Sequence, residues 1–375
     1  MNITFLYSSG RLTRVDRIAV SEAADDFLYG AIELQARGHN IRMVELPATT
    51  KHRSLRLLGK ILFSLKILPH KIDGDLLSQV YAVLPQLAAS DVIIVAGTPL
   101  ALSLTTFHFL GFLNVPIIGI HAGIFNYPLN NVQTFILRHL TKRHWVMIFG
   151  DGEKKRLQTL IGQKLQHNIV VNYCGTDTNF WTPKKLEPEY VLALGNDSQR
   201  DYRTLLDAAE NVSYPFLLIT RKYVPDNLSS NVTLLAGDMR QEIISDVDLK
   251  EIYRKAACVV IPLLETLQPS GQSVCLQAMA CGIPVIMTRT SGIWDASKLR
   301  DGVNILLTSV GGTSQITTHI EKLLSDQQYS QTIAENGRQL TLNEWNMEQW
   351  TDVLERVCIQ CKNMNQRGQA HNQWL

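Results

Sequence analysis

Short apolar runs alternate along this chain with longer segments of mixed polarity, a rhythm that predicts buried parallel strands joined by helices. Ile3-Thr4-Phe5-Leu6-Tyr7 forms the first predicted strand, and Ser8-Ser9-Gly10 turns after it. Ser21 to Arg37 has helical spacing and is closed by Gly38, and Ile41 to Leu46 is a second strand. Asp91 to Ala96 and Val115 to Ile120 are continuous apolar runs, as strands covered on both faces should be, and His121-Ala122-Gly123 follows the latter. Strand, glycine turn, helix and strand in this order begin a doubly wound sheet.

The rhythm repeats in the second half. Strands are expected at Tyr190 to Leu194, Phe216 to Thr220, Val232 to Leu235, Cys258 to Pro262 and Pro284 to Thr288. Helices are expected at Tyr202 to Ala209, Leu249 to Ala257 and Ser273 to Cys281, the last closed by Gly282. The α/β fold class therefore has two doubly wound Rossmann-like domains. We place them at residues 1–182 and 183–344, divided at the polar, proline-flanked stretch Thr182 to Pro188. Residues 345–375 form a closing segment, helical from Trp345 to Cys361 and polar and fraying beyond Asn363.

Composition fits this picture. Over 375 residues, 45% are hydrophobic and 19% charged, the balance of a globular chain long enough for two cores. The net charge of +2 hides an asymmetry: residues 1–185 hold 20 Lys+Arg and 12 Asp+Glu (+8), the remainder 16 and 22 (−6). A basic half suggests an anionic partner there, a phosphate-bearing lipid surface or substrate. Nucleic acid is not expected, because no stacking-aromatic pattern accompanies the basic residues. The six cysteines are dispersed. Cys258, Cys275 and Cys281 sit in apolar surroundings, and Cys358-x-x-Cys361 stands without a second pair, so no metal is expected and a reducing compartment fits. With no spanning apolar run and no basic region before the first strand, the chain is expected to be cytoplasmic.

Chemistry concentrates after the Cys258–Pro262 strand. Pro269-Ser270-Gly271-Gln272-Ser273 is a small-residue loop opening a helix, whose free N–H groups and dipole suit a diphosphate. Gly271 permits close backbone approach, and Ser270, Gln272 and Ser273 add polar groups. An ordinary capped helix between two strands is the alternative.

The stretch Ala278-Met279-Ala280-Cys281-Gly282-Ile283-Pro284-Val285 resembles the donor signature of glycosyltransferase family 4, the retaining GT-B enzymes. Asn172 to Trp181, Gly195 to Ala209, Asp248 to Ala257, Ser291-Gly292-Ile293 and Asp301 to Asn304 resemble flanking family segments. The resemblance covers residues 172–310 and reaches the N-terminal half in layout only. It implies two Rossmann-like domains facing a central cleft, with the C-terminal helix crossing back. One departure stands out: the family's pair of Glu aligns with Pro269 and Gln277. Gln277 is expected to face the cleft and bind ribose, and Glu265 is a candidate for the missing carboxylate.

The same resemblance assigns Arg200 to the departing diphosphate, with Asn196 standing where the family has an earlier Arg, and Arg221 and Lys222 as weaker candidates. Arg200 beside Asp201 could instead be a surface pair. His121 matches a family His that faces the donor sugar, or is a structural His. Ser9 and Gly10 match the loop over the donor phosphates, reduced to one Gly. Separately, Lys51 to Lys71 reads as a basic amphipathic helix that lies either on an anionic membrane or against the core, with Leu58, Leu62 and Leu65 on one side and Arg53, Arg56 and Lys60 on another. The expected activity is sugar transfer from a nucleoside-diphosphate sugar to an acceptor hydroxyl of a glycan, lipid or small molecule, without a cofactor. A non-catalytic nucleotide-sugar-binding subunit and a nucleotide-sugar epimerase are the alternatives.

Overall fold

The computed structural model describes the chain except residues 50–51, 65–73, 124–128, 142–143, 162–167, 223–226, 237–243 and 373–375. The chain divides into two compact units. The first comprises Met1–Val15, Phe27–Asn172 and Trp350–Leu375, and the second Asp16–Asp26 and Tyr173–Gln349. The first unit thus ends ahead of the Thr182–Pro188 stretch expected as the boundary, and it takes in a short piece from each side of the second.

The first unit is a sheet of β1 (Asn2–Tyr7), β2 (Asn40–Glu45), β3 (Val92–Ala96), β4 (Ile117–His121), β5 (Trp145–Ile148) and β6 (Ile169–Val171), in the order β2-β1-β3-β4-β5-β6. Every pairing is parallel. β3 and β4 are buried at every position, which explains their uninterrupted apolar sequence. The accompanying helices are α1 (Thr13–Ala19), α2 (Ala31–Ala36), α3 (Arg53–Ser64), α4 (Gly74–Leu87), α5 (Thr98–Phe109), α6 (Asn131–Thr141) and α7 (Asp151–Ile161). The single helix expected over Ser21 to Arg37 is not continuous. Ser21, Tyr29 and Gly30 have φ of 60°, 53° and 83°, left-handed backbone that an α-helix cannot pass through, so only α2 and one short 3-10 turn form there.

The second unit is a sheet of β7 (Tyr190–Leu194), β8 (Phe216–Ile219), β9 (Val232–Leu235), β10 (Ala256–Ile261), β11 (Val285–Thr288) and β12 (Leu306–Thr308), in the order β12-β11-β10-β7-β8-β9. It too is wholly parallel. Its helices are α8 (Tyr202–Ala209), α9 (Asp246–Arg254), α10 (Gln272–Ala280), α11 (Thr313–Ser325) and α12 (Gln327–Glu344). Chain order reverses between β7 and β10, and at such a switch point the loops diverge and leave a crevice beyond the strand ends. α9 begins where the Ser245 side chain accepts from Asp248 N (3.1 Å). The last helix, α13 (Met347–Asn372), continues past Asn363, where fraying was expected. Asn363 to Asn372 holds no proline, and its Gln, Met, Arg and Ala residues carry little helix penalty.

Candidate functional site

The second unit brings two loops together at its switch point. β7 ends at Gly195, whose φ of 135° belongs to glycine. The following turn is organised by Asp197 and Asp201: Asp197 accepts from Gln199 N (3.1 Å), and Asp201 caps α8 through Thr204 N (3.2 Å) and Thr204 Oγ1 (2.7 Å). The loop after β10 joins this turn through Asp201 N to Pro262 O (3.0 Å) and Leu264 N to Gln199 O (2.8 Å). Arg200 is held between them, 4% exposed, with Nε 3.0 Å from the Asp197 carboxylate. Lys222 Nζ donates to the Arg200 carbonyl (2.9 Å).

Arg200 points at the start of α10. Gly271 is the N-cap of that helix, with φ of 80° and no side-chain cap. A Cβ at position 271 would lie 2.7 Å from Arg200 Nη1 and 2.5 Å from Ile261 Cγ2, so only glycine fits between them. Arg200 Nη1 and Ser270 Oγ are both buried and make no hydrogen bond within the protein. Buried donors without partners are rare and ask for an explanation. Here a guanidinium, a hydroxyl and the uncapped first-turn N–H groups of a helix converge, the donor set that binds an anion. Gln272 is buried and Ser273 half-buried on the first turn of α10. Arg200 therefore does not form the Asp201 surface pair considered from sequence.

Other expected residues are placed differently. Asn196 Oδ1 accepts from Thr220 Oγ1 (3.1 Å) and Arg221 N (2.6 Å), tying the end of β7 to the end of β8. Arg221 is exposed beside it. Glu265 is exposed and accepts from Ser291 N (2.9 Å), which makes it a brace between two loops. Gln277 does not face open space. It is 0% exposed, its Nε2 donates to Asp26 Oδ2 (2.8 Å) and its Oε1 accepts from Tyr253 OH (3.1 Å), so its hydrogen bonds are spent inside the unit. The expected ribose contact is not available in this arrangement. Asp26, which sequence reading passed over, is itself 4% exposed, and burial pushes its carboxyl up to about 6 against the pull of its hydrogen bonds.

In the first unit, Ser9 and Gly10 form an exposed turn after β1, with Gly10 at φ 92° and its carbonyl accepting from Thr13 Oγ1 (3.0 Å). Glu45 holds the next residues by accepting from Arg11 N and Leu12 N. His121 does not reach out from the end of β4. It is 0% exposed and folds back over Gly119, where the missing Cβ leaves room for the ring. The hydrogen bonds around it define a chain. Thr105 Oγ1 donates to Ala101 O (2.8 Å) and so accepts from His144 Nδ1 (3.3 Å). His144 Nε2 then accepts from His121 Nε2 (3.2 Å), and His121 Nδ1 accepts from Thr98 Oγ1 (3.3 Å). A satisfied interior histidine is the better description. Nearby, Glu153 of α7 is 2% exposed and accepts from Gly123 N (2.7 Å) and Phe149 N (3.3 Å), bracing the loops after β4 and β5. Burial pushes its carboxyl up to about 7. Its setting, Asp151-Gly152-Glu153-Lys154-Lys155, reads as a solvated helix start, so no sequence signal marked it. Cys358 and Cys361 are buried free thiols, both raised by burial, and among the described residues no cluster of metal-ligating side chains occurs.

Comparison with known proteins agrees with this placement. Residues 189–326 match the family described as Glycosyl transferases group 1, so the second unit carries a group 1 glycosyltransferase domain. The chain is 26% identical over 198 residues to an uncharacterised glycosyltransferase of Methanocaldococcus jannaschii, covering 50% of this chain and 52% of that protein. It is 25% identical over 203 residues to the lipopolysaccharide core biosynthesis glycosyltransferase LpsE of Rhizobium meliloti, covering 52% and 58%. The chain thus spans about half the length of the curated relatives it matches. Among solved structures, a glycosyltransferase from Rickettsia africae superimposes with a TM-score of 0.67 at 14% identity, over 96% of this chain and 98% of that one. Anabaena HepE in complex with UDP and glucose gives 0.67 at 16% identity, over 95% and 98%. The fold is the GT-B fold of these glycosyltransferases.

Proposed function

We propose that the protein is a retaining glycosyltransferase that moves a sugar from a nucleoside-diphosphate donor to an acceptor hydroxyl in glycan, polysaccharide or glycolipid synthesis. The observation that carries this reading is the pair of unpartnered buried donors, Arg200 Nη1 and Ser270 Oγ, beside the uncapped start of α10. A diphosphate satisfies all of them at once. As the glycosidic bond to the donor breaks, negative charge grows on the leaving diphosphate, and preorganised donors stabilise it more than they stabilise the ground state. Arg200 is the residue assigned to that task. The complex of HepE with UDP and glucose supports a UDP-sugar as the first donor to try.

A second reading, a sugar-nucleotide-binding subunit without turnover, gains from two observations. Gln277 is sealed inside the unit, and His121 is spent in an interior chain. Measuring UDP release from a panel of UDP-sugars, with and without acceptor glycans and lipids, separates the two. Release dependent on acceptor establishes transfer. Tight UDP binding with no release under any condition establishes the binding subunit, and absence of both overturns the donor site.

We also assign the acceptor side a contact with anionic lipid. α3 exposes Leu57, Leu58 and Ile61, at 62%, 49% and 48%, beside exposed Lys60. Its opposite side is closed by Gly59 against Gly74 of α4 and by the ion pair of Arg56 with Asp75. Lys51, Lys66 and Lys71 and the leucines beyond Ser64 lie outside the described residues. No described helix is long and apolar enough to cross a membrane, which leaves surface attachment as the mode proposed.

A further inference from the structure

The segment Asp16–Asp26 packs with the second unit although the chain on both sides of it belongs to the first. Its attachment is specific. Ala24 N donates to Asp246 Oδ2 (2.9 Å) and Asp25 N to Asp177 Oδ2 (3.2 Å). The Asp26 carboxylate accepts from Asp177 N, from Thr176 Oγ1 (3.3 Å), from Trp181 Nε1 (2.9 Å) and from Gln277 Nε2 (2.8 Å). Gln277 lies on α10, the helix whose first turn forms the anion cradle, and Tyr253 OH fixes the other half of its amide.

We propose that Asp26 is a positioning residue for the anion cradle: by gripping Gln277 it sets where α10 presents Gly271 to Arg200, and the amide at 277 is what allows a carboxylate to sit there. The inference rests on the diphosphate reading of the cradle. The tolerance at its far end is small, because nothing larger than hydrogen fits on Gly271 between Ile261 and Arg200. A slight slide of α10 therefore changes the cradle directly. Glutamate at 277, the residue the family resemblance leads one to expect, would set two carboxylates 2.8 Å apart in a buried place. Two such groups cannot both ionise; one proton must be shared. Glutamine removes that conflict.

The test uses the full chain with Gln277→Glu, Asp26→Asn and the double variant Asp26→Asn/Gln277→Glu. Two readouts are taken: UDP affinity by calorimetry, and hydrogen exchange of the amides at the start of α10 without ligand. Gln277→Glu should weaken UDP binding about tenfold at pH 8, the size of one unfavourable charged contact, and recover toward wild type at pH 5.5 as the pair takes up a proton. Exchange at residues 271–275 should rise at pH 8 and fall again at pH 5.5. The double variant, with carboxylate and amide exchanged, should regain part of both. The titratable groups facing the pair are Asp177, Cys174, Tyr253 and Cys281; burial raises Cys174, Tyr253 and Cys281, the two thiols to about 12, so these three are silent in this window. Wild-type affinity and exchange in Gln277→Glu across pH 5.5–8 overturns the proposal. So does a lower melting temperature with unchanged affinity and exchange, which describes a merely structural residue. If wild type binds neither UDP nor another nucleoside diphosphate while exchange responds as expected, the donor reading fails and the positioning role stands.

Discussion

At the end of β10 the donors of Arg200 and Ser270 go without partners; at the end of β4 the imidazole of His121 has two. Both lie at the carboxyl edge of a parallel sheet, where ligands bind in this architecture. The difference is in what the neighbouring loops leave unsatisfied. In the second unit, glycines at 195 and 271 bring backbone close to a guanidinium and provide no side chain to pair with it. In the first, Gly119 has the reverse effect: it opens a pocket into which the imidazole retreats. Polar residues at equivalent places in the two sheets thus serve a ligand in one and the fold in the other.

The sharpest way to break this contrast is Gly271→Val. A branched side chain at φ 80° clashes with Arg200 and Ile261, and the combined strain of about 3 kcal/mol should cut UDP affinity roughly a hundredfold. Calorimetry that finds wild-type affinity would show that the cradle is not where UDP binds. Next in size is Glu153→Gln. The wild-type carboxyl is raised from 4.5 to about 7, so its contribution to stability is complete below 4.5 and is lost as pH rises through 7. The difference in unfolding free energy between wild type and variant should therefore shift in the variant's favour by about 3 kcal/mol between pH 4.5 and 8. Urea unfolding at both ends of that range measures it, and a constant difference contradicts a buried acid.

Arg200→Ala should lower UDP affinity by about 2 kcal/mol with circular dichroism unchanged, the cost of one charged hydrogen bond. Its counterpart in the first unit, His121→Ala, should cost about 1–2 kcal/mol of stability through the cavity and the unpaired His144, and leave UDP affinity alone. A large loss of affinity there would return His121 to the ligand and erase the contrast. The smallest effect belongs to the surface: Lys60→Glu should reduce partition onto anionic vesicles about fivefold at low salt, with neutral vesicles unaffected.

The donor signature was legible because its reasons are local. Gly271 after a strand and Ala278 to Val285 around the next turn are demanded by backbone geometry and close packing within a few residues of themselves. Arg200 was legible for the same reason, five residues past the glycine that ends β7. Gln277 was misread because its partner is Asp26, 251 residues away. Helical phase places Ser273 and Gln277 on one side of α10 but says nothing of what that side meets. His121 was misread because a strand-end residue can turn either way, and Gly119, two positions earlier, decided the direction. Glu153 carried no mark because its charged neighbours are exposed and it alone is buried.

The alternation of apolar runs and helical spacing determined, without any coordinates, that this chain folds as two parallel α/β units, and the loop-helix chemistry determined where an anion would be held. Both follow from period, capping and glycine conformation, which act over a few residues. Tertiary structure decided which polar side chains remain free to meet a ligand. Hydrogen bonds that consume Gln277, His121 and Glu153 join residues remote in sequence or opposed across packed elements, and burial raises the stakes of each such pairing by removing water as an alternative partner.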